Sequence, residues 1–183
     1  MIRLKFFLAA FIALGLSGFS QGADNEPPAG FVALFNGKDL AGWHGYDTKD
    51  PRKFQEMPAD QQQATREKSL EDIKKHWTIQ GADLVNDGNG LYLTTDKNYG
   101  DYELWIDYKT VPKADSGIYL KGVPQVQIWD FTDPSKFGLG ADKGSGGLWN
   151  NSPGKPGKDP LVLADKPLGE WNRFHIIQIG ART

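Results

Sequence analysis

The run "DSGIYLKGVPQVQIWD", from Asp115 to Asp130, decides the fold. It predicts two short strands joined by a turn at Gly122-Val123-Pro124. Side chains alternate across a strand, so Gly117, Tyr119 and Lys121 share one face, and Ser116, Ile118 and Leu120 the other. On the next strand Gln125, Gln127 and Trp129 share a face, and Val126, Ile128 and Asp130 its opposite. The apolar faces, with Ile118, Leu120, Val126 and Ile128, are expected to fill a core. The polar faces carry amides, a lysine and aromatics, which a strand that only fills a core does not need.

The same β pattern extends outward. From Trp77 short runs are broken by Gly81, Asp87-Gly88 and Asn89-Gly90. "YGDYELWIDYKTV" alternates, with Tyr102, Leu104, Ile106 and Tyr108 on one face and Glu103, Trp105, Asp107 and Lys109 on the other. "FHIIQIG" predicts a last strand, and "GFVALF" an early one at 31–35. Many short strands between turn signals point to an all-β sandwich or barrel. The stretch between Phe131 and Gly169 is rich in Gly, Pro, Asn and Asp, yet Leu139, Leu148 and Trp149 give it something to bury. It is expected to form an ordered wall beside the sheet.

Residues 47–76 are different: charged, Gln-rich and poor in β-branched side chains. They predict a helical insert over about 50–76, opened by Pro58, with Leu70, Ile73 and Trp77 on one narrow face. Ser69-x-x-Asp72 reads as a capping box. The insert is either a solvated decoration or a lid over one end of the sandwich.

At the N-terminus Arg3 and Lys5 precede "FFLAAFIALGL" and the small residues of "SGFSQGA". This predicts a signal peptide over 1–23, a linker over 24–30, and a mature protein that is periplasmic or extracellular with no stable membrane anchor. Losing the two leader cations takes the net charge from −2 to −4. A mildly acidic domain without a basic stripe excludes nucleic acid as a partner. With no cysteine the protein relies on its core, for which about 160 residues suffice.

Several strings, "LFNGKDLAGW", "LVNDGNGLYLTTDKNYGDYELWIDYK", "DSGIYLKG", "VQIWD", "GSGGLW" and "PLGEWNRFHI", occur in an order that resembles the 3-keto-disaccharide hydrolase domain family, formerly a domain of unknown function. The likeness runs from Phe31 to the end, with the helical stretch as an insert. It implies a concanavalin-like jelly-roll β-sandwich, exported by bacteria, whose concave sheet holds a sugar. It also implies cleavage of glycosides already oxidised at C3. Family members continue past the point where this chain stops, so it is expected to lack the closing strands.

Ordinary glycosidases need two carboxylates, about 5–5.5 Å apart for retention and about 6.5–9.5 Å for inversion. Glu103 and Asp107 are the nearest pair, but four strand residues separate them by about 13 Å. A 3-keto sugar changes the requirement. The carbonyl acidifies the C2 hydrogen, one base removes it, and the glycosidic oxygen leaves from C1. Water then adds back. One base and one donor for the enolate oxygen suffice.

The candidates are Lys121 as the enolate donor, and Asp115, Asp130 or His44 as the base. His44 is placed in a loop after Trp43. Tyr119, Gln125, Gln127, Trp129, Trp149 and Asn150 are expected to bind the sugar. Family members often carry an acid where Gln125 stands. His76 and His175 read as structural or solvated. A divalent metal has possible ligands in the three histidines and scattered aspartates, though no spacing motif demands one. The alternative function is a non-catalytic carbohydrate-binding module on the same sandwich.

Overall fold

The computed structural model describes residues 25–183, together with the backbone of one further strand, Ile2–Ala9. The rest of the expected leader lies outside the described residues. The strands are β1 (Ile2–Ala9), β2 (Phe31–Ala33), β3 (Trp43–Tyr46), β4 (Trp77–Gln80), β5 (Asp83–Asn86), β6 (Tyr92–Thr95), β7 (Tyr102–Lys109), β8 (Asp115–Tyr119), β9 (Gln125–Trp129) and β10 (Trp171–Gln178). Two helices, α1 (Pro51–Gln55) and α2 (Ala59–His76), interrupt them. The fold is an all-β sandwich with a helical insert.

One layer is a sheet in the order β10-β7-β1-β5-β4, with β2 added against β1. The other is made of two antiparallel strand pairs, β3–β6 and the hairpin β8–β9. Strand β7 shows how the layers meet. Tyr102, Leu104, Ile106 and Tyr108 are all buried, while the alternating residues between them are half-exposed. That single-face burial is what period-two patterning demands. Opposite them lie Trp43, Leu120, Val126 and Ile128, and together with Phe35, Leu84 and Ile176 they make one core. Ile128 and Ile106 are fully buried.

The outer face of β7 and β10 carries cross-strand pairs. Arg173 grips Asp107 with two hydrogen bonds, at 2.5 and 2.7 Å. The His175 ring bonds Glu103 at 2.6 Å and stacks on Trp105 at 4.0 Å. Glu103 and Asp107 are therefore occupied on the solvent side.

The insert starts where expected, but the capping-box reading fails. Helix α2 begins at Ala59 with Pro58 as its cap residue, so Ser69 and Asp72 sit in its interior and form no capping box. Both still satisfy backbone donors, but on the sheet. Ser69 Oγ accepts from Gly45 N–H at 2.9 Å, and Asp72 Oδ1 accepts from Leu91 N–H at 2.7 Å. These bonds fasten α2 along the edge of β3, which has β6 as its partner on the other side. An uncovered edge would present free ladder groups. The buried stripe of α2 is more polar than expected. Ser69 and Ile73 are buried and Gln62 and Arg66 half-buried, an i, i+4, i+7, i+11 pattern. Helix α1 is capped by Asp50, whose carboxylate accepts from Arg52 N–H at 3.0 Å, and it buries Phe54. Among the described residues no helix is long and apolar enough to cross a membrane.

Candidate functional site

Residues directly opposite in an antiparallel pair point the same way. In the β3–β6 pair His44 faces Thr94 and Tyr46 faces Tyr92, while Trp43 and Leu93 turn to the core. In the β8–β9 hairpin Tyr119 faces Gln125, Gly117 faces Gln127 and Asp115 faces Trp129. The rings of Tyr92 and Tyr119 meet edge to face at 5.4 Å. The two strand pairs thus lay one set of polar and aromatic groups onto a common surface, away from the core.

On β9 that surface is covered. All five residues of the strand are buried, Gln125 and Gln127 included. The glycine-rich wall pairs along the free edge of β9 as a pseudo-strand: Gln127 N–H donates to the Gly147 carbonyl at 2.9 Å, and Trp149 N–H to the Gln125 carbonyl at 2.9 Å. Asn150 Oδ1 accepts from Gln125 N–H at 2.8 Å, so Asn150 fastens the wall. Gln125 lies flat across Gly117, where any Cβ would collide with its amide. Gln127 donates to Asp115 at 2.9 Å. Trp129 and Trp149 pack edge to face at 5.7 Å, and the Lys158 ammonium sits 4.2 Å from the Trp149 ring centre. A narrow cleft with room for little more than a water remains between Gln127, Trp129, Trp149, Lys158 and Asp159.

The carboxylates on this side are already engaged. Asp115 pairs with Lys136 at 2.7 Å as well as with Gln127. Asp130 is buried and accepts three hydrogen bonds, from Lys113 N–H, Thr132 N–H and the Thr132 hydroxyl, at 2.7, 2.8 and 2.6 Å. Burial would raise its pKa, but those bonds outweigh it and hold the carboxyl below the usual range. Lys121 corrects the parity expectation. Strand β8 ends at Tyr119, so Lys121 lies in the turn at φ +51° rather than on the strand face. Its ammonium is drawn to the carbonyl of Gly180 at 3.0 Å and to Asp101 at 3.6 Å.

His44 is the exception. It sits within β3, not in a loop, and is 5% exposed. Its Nδ1 is 2.8 Å from Asp96 Oδ1, which as a carboxylate can only accept, so Nδ1 carries the proton and Nε2 keeps its lone pair. Asp96 is aligned by its own N–H, which donates to the Gly42 carbonyl at 2.9 Å across the end of the β3–β6 pair. Burial lowers the His44 pKa and outweighs the upward pull of Asp96, leaving a neutral imidazole at pH 7. Phe54 stacks on the ring at 6.1 Å, and the Arg66 guanidinium lies 5.5 Å from the Phe54 ring centre. An open pocket of about 420 Å³ lies here, between His44, Tyr46, Phe54, Gln62, Arg66 and Thr94.

Asp96 and Arg66 were missed by sequence reasoning. Asp96 looks like an ordinary turn residue in "TTDKN", and its partner is 52 positions away. Arg66 was recoverable only from the polar spacing of Gln62, Arg66, Ser69 and Ile73. The three histidines do not converge. His76 pairs with Asp87 at 3.0 Å and His175 with Glu103, each apart from His44. Among the described residues no group of three or more His, Asp or Glu side chains is gathered as a metal site would require.

Fold and surface together define the class: an all-β sandwich that turns one polar, aromatic-bearing face toward a wall and a helical cover. The chain belongs to the family described as the 3-keto-alpha-glucoside-1,2-lyase-like domain, whose model matches residues 30–183. It is similar to a "3-keto-disaccharide hydrolase" of Bacteroides thetaiotaomicron, with 24% identity over 172 residues. That match covers 81% of this chain and 52% of the relative, so the chain spans about half the length of the relative. No solved structure matches it.

Proposed function

We propose that this protein is an exported hydrolase that cleaves glycosidic bonds of 3-keto-glycosides by elimination followed by hydration, with His44 as the base. The single observation that carries the mechanism is the His44–Asp96 pair. Of the side chains considered as bases, His44 is buried, neutral, aligned by a carboxylate, and part of the lining of an open pocket. Family membership and the name of the relative support the substrate class. Export to the periplasm or the exterior is supported by the leader-like run before residue 24.

His44 Nε2 takes the proton from C2 of the sugar. The C2–H electron pair forms a C2=C3 double bond and the C3 oxygen becomes an enolate. The enolate then re-forms the ketone while C1=C2 forms and the C1–O bond breaks. The departing oxygen takes a proton, which protonated His44 supplies. Water adds to C1 of the enone, and a proton returns to C2. Asp96 holds the imidazole in the productive tautomer throughout.

The test is to incubate the purified protein with an aryl 3-keto-glucoside and its unoxidised parent. Aglycone release from the keto form alone, lost in His44→Ala by about 10²–10⁴-fold, is expected. Equal release from both sugars, or full activity in His44→Ala, refutes the mechanism. Binding of the keto sugar with no turnover would instead identify a carbohydrate-binding module.

A further inference from the structure

We propose that Arg66, carried by the helical insert, supplies the hydrogen bond that stabilises the enolate. Its guanidinium donates to the C3 oxygen of the sugar whose C2 proton His44 removes. This rests on the reading of His44 as the base. It makes the insert a part of the reaction centre, and Arg66 a catalytic residue.

Three observations meet at this side chain. First, no protein acceptor ties up the Arg66 guanidinium among the described residues, and its Nε is buried without a hydrogen-bond partner. A buried charged donor left unpaired costs a few kcal/mol, so such groups are rarely left without a reason. Second, Arg66 lines the same pocket as His44, and Phe54 touches both, stacking on the imidazole and lying under the guanidinium. The aromatic face restrains the planar cation without using its N–H donors. Third, Arg66 is firmly placed. Within the next two turns of α2, Ser69 Oγ bonds Gly45 and Ile73 is fully buried against the sheet.

The chemistry asks for such a group. Removing the C2 proton puts a full negative charge on the C3 oxygen, and a preorganised donor in a pocket with little water is the most effective way to hold it. Lys121, the donor expected from sequence, is committed to Gly180 and Asp101. The Arg66 charge also opposes protonation of His44, so the two groups favour each other's working states. The step balances. The proton moves to Nε2, the charge passes to the C3 oxygen opposite Arg66, and it leaves with the C1 oxygen when the ketone re-forms.

The experiment follows exchange of the C2 hydrogen in D₂O by NMR, using an aryl 3-keto-glucoside and the full chain, alongside aglycone release. Arg66→Gln is expected to slow both exchange and release by about 10²–10³-fold while KM changes less than tenfold. Near-UV circular dichroism checks the fold. If Arg66→Gln does not fold, Arg66→Ala assayed with and without millimolar guanidinium asks the same question, and restored exchange is expected. Exchange within threefold of the unaltered protein in Arg66→Gln, or no rescue of Arg66→Ala, overturns the role of Arg66. If exchange is lost in His44→Ala but kept in Arg66→Gln, only the Arg66 inference fails. Exchange surviving in His44→Ala removes the base assignment itself.

Discussion

The seat of the helical insert can be tested by a double-mutant cycle at Gly45 and Ile73. Ile73 is fully buried, and its Cγ2 would lie 2.8 Å from a Cβ built on Gly45. Leu91 Cδ1 would lie 2.9 Å from the same point. Ile73→Ala removes three carbons, worth about 2.4 kcal/mol in transfer at about 0.8 kcal/mol each. With the cavity left behind, the expected cost is about 2–5 kcal/mol. Gly45→Ala introduces overpacking against both side chains at about 1–3 kcal/mol. Gly45 lies in the extended backbone of β3, so its cost is steric rather than conformational. In the double variant the new Cβ enters space vacated by Cγ2, and only the Leu91 contact remains to be relieved. The pair should therefore cost about 1–2 kcal/mol less than the sum of the singles. Urea unfolding with a common m-value measures all four proteins. Costs that add within about 0.5 kcal/mol would show that α2 does not sit on Gly45 as described.

Three further outcomes follow from the same contacts. The lowered pKa of His44 means that the unfolded chain binds the proton more tightly, so stability should fall as pH drops from about 6.5 toward the folded value. His44→Gln should flatten that part of the curve, and a pH series of urea midpoints that is identical in both proteins would contradict it. Asp130→Ala should cost about 2–4 kcal/mol by stranding the Lys113 and Thr132 donors, while turnover per folded molecule stays near normal. A large loss of turnover in folded protein would return Asp130 to the list of bases. Removing residues 1–23, as leader cleavage would, takes β1 from between β5 and β7. Amide exchange in β7 should then speed up and the urea midpoint fall; no change in either would mean that this pairing adds nothing in solution.

Much of the fold could be read directly from the chain, because period-two burial is a local property. Tyr102, Leu104, Ile106 and Tyr108 must share a face whatever they pack against, and Ile118, Val126 and Ile128 follow the same rule. The family was legible too, in strings whose order survives the insert, as was a polar hairpin surface bearing Tyr119, Gln125, Gln127 and Trp129. The site chemistry was not, since it depends on which distant groups meet. Parity put Lys121 on the sheet, but the strand ended two residues earlier and its charge went to Gly180. Asp115 and Asp130 looked available until Lys136, Gln127 and backbone donors were seen to occupy them. His44 looked like one loop histidine among three. Only the β3–β6 pairing that brings Asp96 beside it, and the helices α1 and α2 that lay Phe54 and Arg66 over it, give it a neutral ring and a pocket. A strand pattern is written in consecutive residues, whereas the ionisation of a side chain is set by burial and neighbours that only the folded chain assembles.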